Sequence, residues 1–516
     1  MASDAALVAE EARLRGALAA TPDSPRDAVA LADLLTAAER ADEAASLMSP
    51  FTARSDADIH VLTAHAGALK ALGRMDEALA LYERAREAAP RSGVAEHNLA
   101  GALGDMQRFA EAEAAVRRAF AKGLDAPQTW LVVGRARQGL GALDAAERSF
   151  REAINRKPDY ADAIGDLAQL IWMRTADLAL ACQPLDEALR RWPGSSALRL
   201  KKAWLLEYAG DVAGAYEALA AGGESLEWPA QVRAAQLASG LDPALALQHA
   251  RRASDVAPDH ALVMASLCQA QLAMGDAGAA ERTAAAMHAR WPNDQHALAF
   301  LATAWRLAGE ARYGELYDYE RFVGAQVVET PSGWTSLDAF LGDLAVAIER
   351  LHIFETHPLG QSVRHGSQTE QSLRLSEDPA IRAFFAAVDA VIRRHIAGLG
   401  AGEDPLRRRI ASGYRFGEAW SVRLRPRGFH ANHVHQKGWL SSAFYVRLPA
   451  AIAHEREGWL KFGEPGVATQ PALGPEHFIK PEPGLLALFP SYMWHGTQPF
   501  GGDEARLSIA FDLLPA

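Results

Sequence analysis

The sequence predicts a multidomain protein in which an all-α array of helical repeats precedes a mixed α+β domain. Three observations support this prediction. At 516 residues, the chain is longer than one compact core usually organises. Alanine-rich segments recur with a period of 34 residues as far as about residue 320. Beyond about residue 325 that repeat stops, and after residue 413 short aromatic and β-branched segments alternate with Gly and Pro, which is typical of a sandwich or barrel.

The composition excludes several classes of protein. The formal charge is −11, from 53 basic and 64 acidic residues, which argues against a nucleic-acid binder. The two cysteines, Cys182 and Cys268, can form neither a disulfide framework nor a four-thiolate metal site, so they favour a reducing compartment. The first residues do not have the pattern of a secretory signal, and no apolar run is long enough to span a membrane. We therefore expect a cytoplasmic protein without nucleic-acid or membrane partners.

Glycines and prolines define the repeat unit. Gly73 and Gly141 lie 68 residues apart, which is twice the period. Pro90 and Pro158 have the same spacing. The pattern predicts a unit of helix, Gly-containing turn, helix and closing Pro, with Ala where the helices approach closely. A 34-residue unit of this kind resembles the tetratricopeptide repeat.

The repeats are expected to stack, because one helix pair cannot bury its own apolar face. Residues 25–324 are predicted to form a superhelix of eight or nine units, with the weakest units at 27–60 and 226–260. An N-terminal helix or cap is expected at 1–24. The concave face of the superhelix is the predicted surface for a protein or peptide partner.

The residues beyond the repeats divide into two parts. Residues 325–412 are predicted to be a helical connector and the N-terminal part of the second domain, with helical patterns at 336–351 and 378–400. Residues 413–516 are predicted to form the β-rich core of that domain, ending in a core strand. The candidate chemistry lies in this last part.

Two segments of the predicted β core carry residues suited to metal chemistry. The first segment, residues 425–449, contains His430, His433 and His435 ahead of an apolar strand. Residues i and i+2 of a strand point to the same face, so His433 and His435 can converge while His430 lies out of register.

The second segment, residues 483–515, supplies His495 and then a strand on which Arg506 and Ser508 share a face. A histidine pair, a third histidine from a distant strand and a buried arginine form an incomplete inventory for a mononuclear iron site. Imidazoles suit ferrous iron, which needs open coordination positions to bind oxygen.

The motifs of these segments occur in an order that resembles one enzyme family. LSSAFYV and GWLKF follow the HxH motif, and ALFPSYMWHGTQPF and RLSIAFD come last. This order is similar to that of the iron(II)/2-oxoglutarate-dependent oxygenases, and in particular to a bacterial and phage branch with HxH ahead of an apolar strand. The upstream run HPLGQSVRHGSQT resembles a segment of the same branch. With both resemblances, the predicted fold is a tetratricopeptide-repeat superhelix followed by an α+β domain with a double-stranded β-helix (jelly-roll) core.

The resemblance implies iron(II) as the metal and 2-oxoglutarate as the cosubstrate. His433 and His495 would be iron ligands, and Arg506 would pair with the distal carboxylate of 2-oxoglutarate with help from Ser508. Tyr445 would donate its hydroxyl hydrogen to the cosubstrate carboxylate or, alternatively, pack in the barrel core. Three polar residues of the upstream run would contribute to the substrate pocket: Arg364, Gln368 and Thr369.

One position departs from the family pattern. Most of these enzymes have an Asp or Glu two residues after the first histidine, whereas this chain has His435 there. Three arrangements stay open: a three-histidine site, a two-histidine site with water, or an acid from elsewhere. The nearest downstream carboxylates are Glu455, Glu457 and Glu464. We favour His435 as a ligand or a close neighbour of the ligands, and we expect His430 at the surface or behind them.

Two other functions stay open. A cupin-type three-histidine dioxygenase that does not use 2-oxoglutarate would share the barrel and the metal. Gly484, Pro490 and His495 fit the second cupin motif apart from its inner glycine, but a cupin needs no R-x-S strand and its acidic ligand is missing here. A non-catalytic repeat scaffold is the third possibility, although such a protein would be expected to lose at least one of His433, His495 and Arg506.

The favoured prediction is a dioxygenase that decarboxylates 2-oxoglutarate to succinate and hydroxylates a side chain of a protein or peptide recruited by the repeats. Tetratricopeptide repeats ahead of an oxygenase also resemble the layout of the aspartyl/asparaginyl β-hydroxylases, whose iron site likewise lacks the acid.

Overall fold

A computed structural model describes residues 4–38, 40–222 and 226–516. The chain divides into two compact units, Met1–Ala163 and Ile164–Ala516. The first three residues of the predicted cap at 1–24, and one residue of the weak repeat at 27–60, lie outside the described residues.

Paired helices build the first unit. In the described residues they are α1 (Asp4–Ala20), α2 (Pro25–Ala37), α3 (Ala41–Thr52), α4 (Ile59–Ala71), α5 (Met75–Ala88), α6 (Gly93–Asp105), α7 (Phe109–Ala121), α8 (Pro127–Gly139) and α9 (Leu143–Arg156). Gly73 and Gly141, with φ angles of 73° and 74°, lie in the turns between the two helices of a pair. This left-handed backbone favours glycine, which explains why glycine marks the repeat.

Small side chains fill the space between these helices. The buried core of the first unit consists largely of alanine and leucine, including Ala28, Ala68 and Ala102. Because alanine adds little width, neighbouring helices can approach closely and bury their apolar faces against each other. The helix pairs of this unit are therefore stabilised by contacts among themselves.

Helix pairs continue in the second unit. They are α10 (Ala161–Thr175), α11 (Leu178–Arg191), α12 (Ser196–Tyr208), α13 (Val212–Ala220), α14 (Trp228–Ala238), α15 (Pro243–Val256), α16 (Ala261–Ala273), α17 (Ala277–Arg290) and α18 (Gln295–Ala308). Two short helices follow, α19 (Arg312–Leu316) and α20 (Tyr319–Phe322). The helical patterns predicted after the repeats form α21 (Leu337–Glu349) and α22 (Pro379–Leu399).

Two antiparallel sheets complete the second unit. Their strands are β1 (Gly324–Val327), β2 (Val363–Gln368), β3 (Tyr414–His430), β4 (Leu440–Arg447), β5 (Leu460–Phe462), β6 (His477–Ile479), β7 (Leu485–Pro490), β8 (His495–Thr497) and β9 (Arg506–Pro515). The larger sheet has the order β1-β7-β4-β9-β3-β2 and the smaller one β6-β5-β8. In the larger sheet, Tyr445 is paired with Ser508, and Leu424 with Arg506. β9 thus carries the predicted R-x-S residues in the interior of the sheet, while β1 and β2, from the segment predicted as a helical connector, form its edges.

The later repeats share one hydrophobic core with the sheets. This core contains Met287 and Phe300 of the repeat helices together with Phe462 and Trp494 of the sheet region. The indole Nε1 of Trp494 also donates a hydrogen bond to Thr303 Oγ1 at 2.9 Å. Because of this packing, the boundary between the units falls inside the repeats rather than at their end.

An extended segment of the C-terminal domain is also bound to the repeat helices. The amides of Glu355 and Thr356 donate to the carbonyl of Met173 on α10, at 2.9 and 3.2 Å. The His357 imidazole donates from Nε2 to the carbonyl of Tyr208 on α12, at 3.0 Å. Helices α10 and α12 therefore support the polypeptide that leads into β2.

The predicted fold class is confirmed, since helical repeats precede a domain built on antiparallel sheets. None of the helices in the described part of the chain combines the length and apolar character that a membrane crossing requires.

Candidate metal centre and cosubstrate pocket

Three of the predicted histidines lie in one cluster: His433, His435 and His495. One ring nitrogen from each lies within 4.8 Å of the others. The Nε2 atoms of His433 and His435 are 3.1 Å apart. We call these three residues the histidine cluster.

The backbone around the cluster explains how distant parts of the sequence converge. His433 and His495 form an isolated antiparallel bridge, in which their amides and carbonyls exchange hydrogen bonds of 2.9 and 3.1 Å. The amide of His435 donates to the carbonyl of Ser491 at 3.0 Å. His433 and His435 thus lie in an irregular segment after β3 rather than on a regular strand, and their convergence comes from its hydrogen bonds to the connection between β7 and β8.

Each imidazole of the cluster donates its Nδ1–H to a fixed acceptor. His433 and His495 each donate to the backbone carbonyl two residues earlier, at 2.8 and 2.9 Å. His435 donates to the carboxylate of Asp512, with 2.6 Å between Nδ1 and Oδ1. Carbonyl and carboxylate oxygens only accept, so these contacts fix the tautomer and leave every Nε2 lone pair available to a metal ion.

The surroundings of the cluster keep the imidazoles of His433 and His495 neutral. The ring centroid of Phe489 lies 4.6 Å from that of His495, and Trp420 stacks on His435 at 5.8 Å. Burial, and to a smaller extent the neighbouring His435, lowers the pKa of His433 to about 3. Burial likewise holds the pKa of His495 well below its ordinary value. Neutral imidazole is the form that binds metals, so His433 and His495 are in the binding form at neutral pH.

The cluster fits a first-row transition-metal ion. Imidazole nitrogens bind zinc at about 2.0–2.1 Å, so two nitrogens at right angles on an ion of this size lie about 3 Å apart. The two Nε2 atoms of His433 and His435, 3.1 Å apart, match that separation. Imidazole donors suit iron, copper, nickel and zinc, so the donor set is compatible with iron(II) without selecting it.

The acid near the cluster is one that the sequence reasoning missed. Each carboxylate considered from the sequence has a local partner: Lys461 for Glu464, the Gly501 amide for Glu457 and Arg456 for Glu455. Asp512 instead accepts hydrogen bonds from both His435 and the Ser441 hydroxyl, the latter at 2.8 Å. It lies on β9 in register with Arg506 and Ser508, so the same two-residue alternation could have identified it.

Arg506, Tyr445 and Ser508 form a second group, which we call the arginine pocket. The side chain of Arg506 is 1% exposed, and its Nη1 donates to the carbonyl of Gly458 at 2.8 Å. Its guanidinium carbon lies 5.0 Å from the ring centroid of Tyr445. Among the described residues, Arg506 Nε and Tyr445 Oη are buried without a hydrogen-bond partner.

The arginine pocket has the electrostatics of an anion site. Burial lowers the pKa of the Arg506 guanidinium and raises the pKa of the Tyr445 hydroxyl. A buried guanidinium without an acidic partner costs folding free energy, and a carboxylate bound in two-point fashion would offset that cost. The residues present therefore fit the carboxylate of 2-oxoglutarate.

His430 is half-buried and lies close to both groups. Its ring centroid lies 6.1 Å from that of His433, and its Nδ1 lies 3.0 Å from Ser362 Oγ. Burial lowers the pKa of His430, and the proximity of His433 and Arg506 acts in the same direction. Of the two positions expected for His430, the one behind the ligands agrees better with these contacts.

The three residues assigned to the substrate pocket have contacts elsewhere. Arg364 donates to two backbone carbonyls of its own segment, at 2.7 and 2.9 Å, and stacks over Tyr208 of α12 at 5.0 Å. Thr369 and Ser421 are joined by two hydrogen bonds of 3.1 Å. Gln368 lies on the edge strand β2 and pairs with β3. These contacts tie β2 to β3 and to the repeats.

Comparison with known families finds one match in the C-terminal domain. Residues 418–512 match a family described as "Putative 2OG-Fe(II) oxygenase". This part of the C-terminal domain is thus similar to a 2OG-Fe(II) oxygenase domain. The matched range contains the histidine cluster, the arginine pocket and Asp512. Residues 127–160 match the tetratricopeptide repeat, so both resemblances seen in the sequence are confirmed. The oxygenase family implies iron(II) and 2-oxoglutarate, and the domain has residues that fit both.

Solved structures of repeat proteins are similar to parts of this chain. Yeast Tom70 is 17% identical over 58% of this chain and 66% of its own, with a TM-score of 0.45. The APC/C hetero-tetramer Cut9–Hcn1 is 14% identical, over 51% of this chain and 52% of the matched chain, with a TM-score of 0.34. The first tetratricopeptide repeat domain of Spaghetti, bound to an HSP90 peptide, is 25% identical over 22% and 89%, with a TM-score of 0.21. The chain thus spans about half the length of the Cut9–Hcn1 chain, and it has no match among curated proteins.

Proposed function

We propose that the second unit is an iron(II)- and 2-oxoglutarate-dependent dioxygenase that hydroxylates a side chain of a protein or peptide. One observation carries the proposal: a cluster of three imidazoles with fixed tautomers occurs in the same domain as a buried guanidinium with an unpartnered donor. A metal site alone would suit many metalloproteins. A metal site together with a pocket that binds a carboxylate suits a keto acid, which must bind both the metal and the arginine.

In this proposal His433, His435 and His495 hold the metal through their Nε2 atoms. Bound iron(II) supplies the activation of dioxygen that hydroxylation of a C–H bond requires. The protein's own part is orientation. Asp512 fixes the orientation and tautomer of the His435 ring, as second partners of metal-binding histidines generally do.

The arginine pocket is proposed to hold the distal carboxylate of 2-oxoglutarate. The carbonyl of Gly458 fixes one edge of the Arg506 guanidinium, and Nε stays available to the carboxylate. The Tyr445 hydroxyl can donate a second hydrogen bond, whereas the hydroxyl of Ser508, its partner across β4 and β9, donates to the Val422 carbonyl at 3.5 Å. Donors that are already fixed lose little entropy when the ligand binds.

The cupin-type alternative requires the same metal but no 2-oxoglutarate. Without that ligand, the domain would keep a buried guanidinium nitrogen and a buried hydroxyl unsatisfied. Each such group typically costs about 1–3 kcal/mol of folding free energy. The arginine pocket therefore favours the 2-oxoglutarate-dependent reaction.

The proposal is tested by following 2-oxoglutarate and succinate in the presence of iron(II) and oxygen. Wild-type protein is expected to convert 2-oxoglutarate to succinate slowly without substrate and faster with it. His495→Ala should abolish conversion, because it removes a nitrogen donor. His454→Ala is the matched control, since this histidine is exposed in a loop outside both groups, and it should behave as wild type.

Tyr445→Phe provides a second test in case His495→Ala fails to fold. It keeps the buried ring and removes only the hydroxyl, so we expect a higher KM for 2-oxoglutarate. Iron binding without any affinity for 2-oxoglutarate in the wild type would favour the cupin-type enzyme, and absence of metal binding would favour the scaffold.

Metal affinity tests whether His435 is a metal ligand. If His435 is a ligand, His435→Ala should reduce metal affinity by a larger factor than Asp512→Asn, which removes only its hydrogen-bond partner. Unchanged metal affinity in His435→Ala would leave a two-histidine site.

A further inference from the structure

A groove inside the second unit connects the repeats with the histidine cluster. It has a volume of about 510 Å³ and is lined by α12, α14, α16 and α18 on one side. On the other side it is lined by residues 432–436, residues 466–468 and Trp494, and it includes His433. We call this space the shared groove. A molecule that reaches the cluster through it must contact the repeat helices.

The floor of the shared groove on the repeat side is apolar and exposed. Leu262, in the first turn of α16, is 54% exposed although its side chain is large and apolar. Ala265 follows one turn later, and Val467 lines the opposite wall. An exposed apolar surface inside a concavity is typical of a binding site rather than of an ordinary protein surface.

Side-chain amides line both walls of the groove. Gln236 and Gln269 come from α14 and α16, while Asn432 and Gln436 come from the segment that carries His433. An amide can donate and accept hydrogen bonds, as can each residue of a peptide backbone. Amides on two walls above an apolar floor therefore suit an extended polypeptide better than a compact apolar molecule.

Glu207 and Asp294 are the acidic residues of the groove, and Arg233 is its arginine. Glu207 forms an ion pair with Arg233. The carboxylate of Asp294 accepts hydrogen bonds from two neutral donors, the Gln436 side chain at 3.0 Å and the His296 amide at 2.8 Å. Burial lowers the pKa of His296, which keeps its ring neutral. An acidic side chain of a ligand would therefore lose water here without gaining a cationic partner.

We infer that the shared groove binds an extended polypeptide whose side chains near the hydroxylated residue are mostly apolar and not acidic. The inference rests on the proposed function, because it takes the groove as the route to the metal. It assigns the repeats of the second unit a place in the active site: their first helices form a wall that selects the substrate.

The inference can be tested with fluorescently labelled, degenerate peptide pools and the full-length protein. The pools are matched in length and have neutral, acidic or basic residues around a random central position. Fluorescence anisotropy should show that the neutral pool binds at least about tenfold more tightly than the acidic pool. Equal binding of these two pools, or tighter binding of the acidic pool, would overturn the inference.

A matched pair of variants locates the binding. Leu262→Glu places a charge on the floor of the groove and should weaken binding of the neutral pool at least about tenfold. Leu180→Glu is the control, because Leu180 is a 39% exposed leucine in the first turn of α11, outside the groove. If Leu262→Glu binds the neutral pool like wild type, or if both variants weaken it equally, the groove does not select the peptide.

A separate measurement distinguishes this result from the proposed function. Conversion of 2-oxoglutarate to succinate by wild-type protein without peptide tests the enzyme, whereas anisotropy tests the groove. Succinate formation together with peptide binding that Leu262→Glu leaves unchanged would contradict the inference and be consistent with the proposed function. Absence of both 2-oxoglutarate binding and succinate formation would contradict the proposed function itself.

Discussion

The helix pairs of the two units share one architecture but have different cores. In the first unit, the buried residues come from the helix pairs themselves, with alanine and leucine dominant. In the second unit, α16, α17 and α18 contribute to a core that also contains β4, β7 and β9. The same repeat can therefore be stabilised by its own contacts or form part of the core of the domain that follows it. The end of the repeat pattern in the sequence does not mark the start of that core.

The largest expected effect comes from Phe300→Ala, a change in a repeat helix. Phe300 is buried on α18, and its ring centroid lies 6.2 Å from that of Trp494. Removing a buried phenylalanine side chain typically costs about 3–5 kcal/mol. Hydrogen exchange should show loss of protection in β4, β7 and β9 as well as in α18.

The counterpart of that variant in the first unit is Phe51→Ala. Phe51 belongs to the alanine-rich core of the first unit, so the loss of protection should be confined to that unit. If Phe300→Ala leaves the exchange of the sheets unchanged, the later repeats unfold separately from the oxygenase domain and the comparison between the units fails.

Metal binding should stabilise the second unit alone. Added iron(II), under anaerobic conditions and at about 100 times its Kd, should raise the free energy of unfolding by about 2.7 kcal/mol.

Asp512→Asn should weaken metal affinity about 10–100-fold, because it releases the ring of His435. Asp503→Asn, at an exposed loop position, should leave the affinity unchanged. Calorimetric unfolding with and without metal measures both effects, and equal stabilisation of the first unit would point to a metal site other than the cluster.

Acid should destabilise the second unit through buried histidines outside the cluster. His352 lies between the hydroxyls of Ser367 and Ser421, at 2.9 and 3.1 Å. Burial, and then the nearby Arg423, lowers its pKa to about 3, while Glu349 opposes the shift. An unfolded histidine has a pKa of about 6.5, so the unfolded state takes up a proton that the folded state excludes. The stabilising contribution is therefore complete above about pH 6.5 and is lost as the pH falls toward 3.

His352→Gln tests this pH dependence. Between about pH 7 and about pH 5, the variant should lose about 1–2 kcal/mol less unfolding free energy than wild type, as urea titrations of the metal-free protein would show. His65 of the first unit also has a pKa lowered by burial, so His65→Gln should change the acid sensitivity of the first unit instead. An unchanged pH profile in His352→Gln would show that this imidazole is protonated in the folded protein.

The smallest effect is expected from an ion pair of the first unit. Asp105 of α6 pairs with Lys70 of α4, and both side chains are about half exposed, at 46% and 44%. Exposed pairs typically contribute less than about 1 kcal/mol and are screened by salt. Asp105→Asn should therefore shift the unfolding of the first unit only slightly, and less at high salt. A salt-independent loss well above that size would show that the pair is effectively desolvated.

The sequence predicted most of the local structure and, apart from Asp512, the residues of the histidine cluster and the arginine pocket. Gly73, Gly141 and the spaced prolines predicted the helix pairs, because a left-handed turn and a helix stop are local requirements. The HxH motif, His495 and Arg506 predicted the residues of the two groups. Asp512 is the last residue of the RLSIAFD motif, and its contact with His435 was missed because only the fold joins the two residues.

Long-range packing was the part that the sequence could not supply. The shared core of Phe300 and Trp494 joins residues that are far apart in the chain, and no periodicity in either segment reports their contact. The position of Arg364 could not be read from the sequence for the same reason. The motif suggested a substrate pocket, whereas the stacking of Arg364 on Tyr208 depends on where β2 meets α12.

Binding of 2-oxoglutarate to the iron(II)-loaded protein is the decisive measurement for the arginine pocket. Titration calorimetry without oxygen should show that 2-oxoglutarate binds to the wild type. Arg506→Gln should weaken this binding at least about tenfold, because a neutral amide replaces the buried, charged guanidinium. Arg382→Gln, at an exposed arginine of α22, should bind 2-oxoglutarate like wild type. Wild-type protein that binds iron but not 2-oxoglutarate, or an Arg506→Gln variant with unchanged affinity, would contradict the assignment of the arginine pocket.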